Sequence, residues 1–497
     1  MIMMNNTSQP VYFQELHEYS KNEIFDKFKE CSDKTNPEEL NENIVNKLLK
    51  HDFIKYNDEN KKYRFQFVGI LIIDNTVIFL YPKYIYNENN IGPDFKKVIK
   101  VLKKYRKSKG KLNYENEENE DISFNLLSLM IYILEDYYEH GVYTKVQNIL
   151  EINGRGEINW DKTINDTYPI IDDNRPYYIE LYTRSKIYDL FDYFKLLHEY
   201  IITECSKYLK SVGLLEIFDL TYVELSDKSR EDFGEDDYIL EKLEKELHVE
   251  YDTHKQELLR FMHIYISQKN AFTNRNFLTL YGTRTYHTIW EEMCSNIFSN
   301  KLKSNLAGLK LNKPLNGKYA NYEKIYDIIE YPKWILNGEK PMKSQGKLEP
   351  DIITFHEDKF IILDAKYYDL VFEKDKDLKG NPGISDITKQ YLYQLALDDF
   401  RKKHGYMCVK NALLFPKYDG KIENKGKVRL DMFSKFHLED IQVIMLPADW
   451  VNEKYLANET IDISRLKLGE CKIIKKKNRC SVNSRKKLKF INMEYLI

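Results

Sequence analysis

The run Leu348-Glu-Pro-Asp-Ile-Ile-Thr-Phe355, a polar His-Glu-Asp-Lys turn at 356–359, and then Phe360-Ile-Ile-Leu-Asp-Ala-Lys-Tyr-Tyr368 decide the fold of this chain. Two short apolar, β-branched runs on either side of a polar turn predict an antiparallel hairpin. In such a hairpin Asp351 stands near the start of the first strand and Asp364 near the end of the second, so pairing brings both carboxylates to one end of the sheet, where they can share a cation. Asp364 and Lys366 are two residues apart and share a face, while Ala365 points to the other side and can offer its backbone carbonyl to the same ion. A hard oxygen site of this kind suits Mg²⁺ or Mn²⁺, and the lack of neighbouring His/Cys clusters speaks against zinc. Phosphodiester hydrolysis needs a nucleophilic water, neutralised charge on the phosphate and help for the departing oxygen; a carboxylate-bound cation beside a lysine supplies the first two. Lys366 would orient or deprotonate water and offset charge. An isolated D-x-K is a common string that also describes ordinary strand-end charges. Pro350-Asp351, an apolar strand, a turn and Ile361-Ile-Leu-Asp-Ala-Lys366 in succession form a much rarer combination.

Outward from the hairpin, Asp386 to Leu397 reads as a helix with Gln390 and Gln394 at i and i+4 on one face, leaning its polar edge over the active strand end. Gln390 is a candidate catalytic residue there, and Lys389 and Gln394 are candidate DNA contacts. An amphipathic helix with solvated glutamines is the plainer alternative. Upstream, Gly282 to Cys294 reads as a helix with Trp290, Met293, Cys294 and Ile297 turned inward, and Glu291 beside that stripe is placed to close the metal site as a further acid. Glu292 and His287 are weaker candidates. Asn411–Pro416 and Ile441–Pro447 are apolar runs short enough to be buried strands of the same sheet. Helix, strands, helix and strands in this order predict one α/β domain over 271–450. Residues 451–497 form a basic extension in which Lys475, Lys476 and Lys477 belong to a run that either grips phosphates or is simply solvated.

The first 270 residues are expected to be a β-containing and helical region that contacts a partner or DNA. Short amphipathic helices run to about residue 60, with Leu40, Ile44 and Leu48 near helical spacing. From Tyr63 to Lys83, two β-branched runs around Asp74-Asn75 predict a second hairpin. Asn113 to Asp121 reads as an acidic loop, Ser123 to Tyr138 as an apolar helix, Ser185 to Lys210 as a helix with an aromatic stripe, and Ser229 to Glu250 as a charged, solvent-facing one. Gly154-Arg-Gly156 lacks the spacing of any phosphate loop. The fold class is therefore mixed α/β, or α+β, in two or three domains, since 497 residues exceed one ordinary core.

The formal charge of -2, from 76 Lys+Arg against 78 Asp+Glu, excludes a uniformly basic nucleic-acid coat, so DNA contact has to come from locally sorted charge. Six scattered cysteines with no CxxC speak against both a structural zinc site and a secreted disulfide framework. The first twenty residues lack a basic stretch followed by an apolar run, and no stretch of about 18 apolar residues occurs. A reducing cytoplasm and no membrane are expected.

These residues resemble the PD-(D/E)XK nucleases and, within them, McrC-like restriction subunits, especially the LlaJI type. Pro350-Asp351 looks like the first metal-binding element, Asp364-Ala-Lys366 like the D-x-K element, Lys389 to Gln394 like the following helix, and Gly282 to Cys294 like the leading helix with its Trp-Glu. Val68-Gly69 through Pro82-Lys83 and Gly154 to Trp160 are similar to β segments of the same family. The resemblance implies a C-terminal restriction-endonuclease-like domain and a separate AAA+ GTPase partner of the McrB kind, which handles DNA and is stimulated by the nuclease subunit. The chain itself contains no GxxxxGK[ST] and is not that motor. An autonomous type II restriction endonuclease, a non-catalytic DNA-binding or assembly subunit, and action on RNA or branched DNA stay open at this level.

Overall fold

The structure, a computed structural model, describes residues 10–29, 37–73, 76–86, 90–109, 126–188, 192–272, 278–337, 340–370 and 378–470. The acidic stretch 113–121 and the basic segment with Lys475, Lys476 and Lys477 lie outside them. The architecture is mixed α/β, with several sheets bridged by helices.

The N-terminal sheet contains β1 (Val11–Gln14), β2 (Val68–Ile73) and β3 (Thr76–Tyr81). β2 and β3 pair antiparallel from Gly69↔Leu80 to Ile73↔Thr76, as the two β-branched runs predict, and β1 lies parallel to β3. The expected hairpin is shorter than the sequence suggests, because Lys62–Phe65 pairs with Ile54–Asn57 in a small separate sheet. β2 is apolar at nearly every position because both of its faces are covered. Val68, Ile70 and Ile72 enter one core, and Leu71 and Ile73 enter another.

The helices α1 (Ile91–Ser108), α2 (Leu126–His140), α3 (Tyr193–Ser211) and α4 (Thr253–Phe272) fill the first core. Ser185 does not begin a helix: Tyr182–Tyr188 is a strand, antiparallel to Val146–Ile152 from Tyr182↔Ile152 to Tyr188↔Val146, and α3 starts only at Tyr193. Asp192 caps α3, its Oδ1 accepting from the N–H groups of Phe194 and Lys195 at 2.9 Å each.

The chain after 270 first returns to the N-terminal sheet. Leu278–Thr283 (β4) pairs antiparallel with β2, setting Gly282 opposite Gly69. A Cβ on either glycine would stand 2.2 Å from a backbone oxygen of the facing strand. Gly282 and Thr283 are thus strand rather than helix, and α5 (Tyr286–Ile297) starts after them with Trp290, Met293, Cys294 and Ile297 all buried.

The second sheet has the order β5 (Ile352–His356), β6 (Lys359–Ala365), β7 (Cys408–Lys417), then an outer pair in which β9 (Ile441–Pro447) precedes β8 (Glu423–Val428) at the edge. β5–β6 and β8–β9 are antiparallel, and β6–β7 and β7–β9 are parallel. One face, with Ile352, Leu363, Ala412 and Leu414, packs on α5 and joins the core of the N-terminal helices. The other is covered by α6 (Ile384–Lys403) through Ile387, Tyr391, Tyr393 and Leu397. A last helix, α7 (Ala448–Leu456), packs back on α1 and α5. Cys205 and Cys294 are buried free thiols. Among the described residues no helix is long and apolar enough to cross a membrane.

Candidate active site

The hairpin register builds the site. β5 and β6 pair from Ile352↔Leu363 to His356↔Lys359, and one further step of that register sets Asp351 opposite Asp364. The Ala365 N–H donates to Asp351 Oδ2 at 2.8 Å, so the two strand ends are fastened through one of the two carboxylates. Asn300, just past α5, grips the same strand start from behind. Its Nδ2 donates to the Asp351 carbonyl at 2.7 Å and its Oδ1 accepts from Ile353 N–H at 3.1 Å. Lys366 leaves β6 with its backbone N–H bonded to the Leu414 carbonyl at 2.8 Å, an oxygen that also accepts from the Trp290 indole at 3.3 Å.

The Lys366 side chain folds over the acids. Its Nζ lies 2.7 Å from Asp364 Oδ2 and 3.6 Å from Asp386 Oδ1 in the first turn of α6. Asp386 was not singled out from the sequence. The signal was its position four residues before Gln390, which places both on one helical face. Gln390 is buried beside Asp364 and offsets part of that acid's rise. Glu291, half-buried on α5, feels the charges of Lys366 and Asp364, and its own charge raises Asp351.

Burial and mutual repulsion raise these carboxyls. Burial first, then the charges of Asp364 and Glu291, push Asp351 up to about 8. Burial also lifts Asp364 against the pull of Lys366, and lifts Glu291, with Asp364 adding to it. Burial alone would lower Lys366, but the charges of Asp364, Asp351 and Asp386 outweigh it and hold the ammonium above its ordinary range. Buried carboxyls with few cationic partners have the oxygen-donor chemistry that suits a divalent cation, and the facing pair Asp351 and Asp364 supplies it.

The N-terminal sheet borders the site, which no local pattern foretold. Lys83, just past β3, donates from Nζ to the Tyr367 carbonyl at 2.8 Å, and the Tyr367 hydroxyl donates to Glu15 Oε2 at 2.5 Å. His287 at the start of α5 is lowered by burial and then by the charges of Lys83 and Lys366.

Other expected residues fall elsewhere. Gln394 does not face outward toward DNA. It is buried, its Nε2 donating to the Glu439 carbonyl and its Oε1 accepting from the Glu439 N–H, both at 2.9 Å, so it fastens α6 to the segment before β9. Lys389 is exposed on α6. Glu292 points to Lys109, 2.9 Å away, outside the acid cluster.

A profile of the LlaJI restriction endonuclease family matches residues 67–449. A component of the type II restriction enzyme BsuMI, YdjA of Bacillus subtilis strain 168, is 31% identical over 453 residues, covering 88% of this chain and 90% of that protein. Among solved structures, the McrB AAA+ hexamer assembly with bound McrC from Thermococcus gammatolerans matches at 12% identity and TM-score 0.36, over 90% of this chain and 100% of that one. The cryo-EM structure of the McrBC complex of the same organism matches at 12% identity and TM-score 0.22, over 52% of this chain and 79% of that one.

Proposed function

The chain belongs to the LlaJI restriction endonuclease family, and from that premise we propose that it is the DNA-cutting subunit of a restriction system, hydrolysing phosphodiester bonds at Asp351, Asp364 and Lys366. The observation that carries this reading is the hairpin register, which gathers two raised carboxyls and one lysine at a single strand end. A nuclease domain of the PD-(D/E)XK kind over 271–450, with the first 270 residues for partner or DNA contact and 451–497 as a basic extension, is the division that goes with it, with β4 reaching back into the N-terminal sheet and α7 carrying residues past 450 into the shared core. Mg²⁺ or Mn²⁺ held by Asp351, Asp364 and the Ala365 carbonyl, with Glu291 as a further acid, would supply Lewis acidity and charge neutralisation at the scissile phosphate. Lys366, held cationic by its three acidic neighbours, orients the attacking water and offsets phosphate charge rather than serving as the base. Asp386 helps hold Lys366 in place, and Gln390 is buried beside Asp364. Lys389 and the lysines at 475–477 are the proposed backbone contacts to DNA.

A partner-dependent enzyme is favoured over an autonomous one by the arm between residues 146 and 188. It exposes Trp160, Ile164, Tyr168, Ile171 and Ile179, and Tyr168 is 97% accessible. Apolar side chains gathered on one projection mark a protein contact. An AAA+ GTPase of the McrB kind is the partner this reading assigns.

The test is plasmid cleavage with Mg²⁺ by wild type, Asp364→Ala and Lys366→Ala, each with and without the co-expressed GTPase and GTP. Cutting by wild type alone, lost by more than about 100-fold in both variants, supports the assignment. Cutting that needs the GTPase supports the partner, and cutting without it identifies an autonomous enzyme. Equal behaviour of all three proteins leaves a non-catalytic assembly subunit.

A further inference from the structure

Outside the nuclease cluster, α2 and α4 bring together a different donor set. Asp136 and His140 are four apart on α2, and His254 is the second residue of α4. The helices are packed against each other, with Tyr132 edge-on to Phe261 at 4.4 Å between ring centres. His140 Nδ1 lies 3.0 Å and His254 Nε2 2.6 Å from the same oxygen, Asp136 Oδ1. The two rings stand 4.2 Å apart. Asp136 is buried, and its other oxygen, Oδ2, has no hydrogen-bond partner among the described residues.

Two imidazoles converge on one carboxylate oxygen, which its two lone pairs allow, while the second oxygen of the same buried carboxylate is left without a partner among the described residues, an unusual state for a buried polar atom. The three side chains are a good arrangement of ligands. The three donor atoms lie within 4.8 Å of one another, and ligands on a tetrahedron around zinc are about 3.3 Å apart for bond lengths near 2.0–2.1 Å. Two imidazole nitrogens and one carboxylate oxygen are the borderline donors that suit Zn²⁺, unlike the oxygen-only cluster at Asp351. His140 is exposed, so an ion has access from solvent. His198 on α3 is not a ligand: its buried Nδ1 accepts from the Tyr143 N–H at 3.0 Å, which places the proton on Nε2, and that Nε2–H has no partner among the described residues. Burial, with the charge of His254 second, pushes His198 down to about 3, so it stays neutral behind the site.

We propose that Asp136, His140 and His254 form a second metal site, of the transition-metal class and suited to Zn²⁺, that ties α2 to α4. It shares no residue with the nuclease cluster and stands whether or not that cluster cuts DNA. The test uses the full-length protein, stripped with chelator and dialysed, then titrated with Co²⁺ as a spectroscopic probe and with Zn²⁺ during thermal melting. Wild type and Asp364→Ala should each take up a Co²⁺ with visible absorption of an imidazole-ligated ion, and Zn²⁺ should raise their Tm by about 5 °C. His140→Ala, at an exposed position whose fold is checked by circular dichroism, should lose both signals, and so should His254→Gln. Absence of both signals in wild type overturns the site, as does their persistence in either histidine variant.

Discussion

Asp351 has to carry its charge in a buried place already occupied by Asp364 and Glu291, and that repulsion is a stability cost in the protein without a cation. A carboxyl raised in the folded state to about 8 holds its proton longer there than in the unfolded chain. Its favourable contribution is therefore complete at pH below the unfolded value and is lost as pH rises toward 8. In chelator-treated protein, Asp351→Asn should then stabilise at pH 8 by on the order of 1–2 kcal/mol and have little effect near pH 4. Denaturant unfolding of both proteins at the two pH values checks this; an Asp351→Asn that destabilises at pH 8 would sink it. Added Mg²⁺ should raise the wild-type Tm at pH 8 and leave the Asp351→Asn Tm nearly unchanged, since the ion relieves only a repulsion that is present.

At the scale of elements, two junctions decide whether the site is assembled. Gln394 satisfies both backbone groups of Glu439, so Gln394→Ala leaves a buried pair unmet and should cost about 1–3 kcal/mol. Because its amide faces the protein and not solvent, salt-dependent DNA affinity should be unchanged in the same variant. The second junction is the Gly69–Gly282 crossing of β2 and β4. Gly282→Ala would drive a methyl group into the Val68 carbonyl and the Phe67 ring, for a cost of about 1–3 kcal/mol or more. As β4 runs directly into α5, cleavage should fall along with the denaturant midpoint, because α5 carries Glu291, the proposed further acid. Retained cleavage with a lowered midpoint would separate the two.

For the whole molecule, one apolar core runs from the β2–β3 hairpin through α1–α4 to α5 and the inner face of the second sheet. The halves are therefore expected to unfold together rather than in two steps, since among the described residues one continuous core joins them. The arm at 146–188 contributes no residue to that core and exposes Trp160, Ile164, Tyr168, Ile171 and Ile179. Replacing Tyr168, Ile171 and Ile179 together by Ser should leave Tm within about 2 °C of wild type, as none of them is buried, while removing partner-stimulated cleavage. An unchanged response to the GTPase in that triple variant would show that the partner binds elsewhere.

The Asp351–Asp364 hairpin is legible because its pairing geometry is local. The turn is four residues long, the strand period is two, and Asp351, Asp364 and Lys366 fall on the same strand end by counting alone. The same holds for the β2–β3 hairpin and the inward stripe of α5. Gln394 misled because a glutamine at helical spacing reads as polar surface, and only the segment before β9, arriving 45 residues later, decides that it is interior. Ser185–Tyr188 reads as helix because its pairing partners, Val146 to Ile149, come from a distant segment and a polar strand has no apolar alternation of its own. Asp386 near Lys366, Lys83 beside Tyr367, and Asp136 with His140 and His254 depend on contacts between distant segments. Sequence by itself determined the residues capable of chemistry and the local turns that pair them, since those follow from backbone periodicity. Only the tertiary structure decided which charges share a buried space, because burial and long-range electrostatics belong to the packed chain.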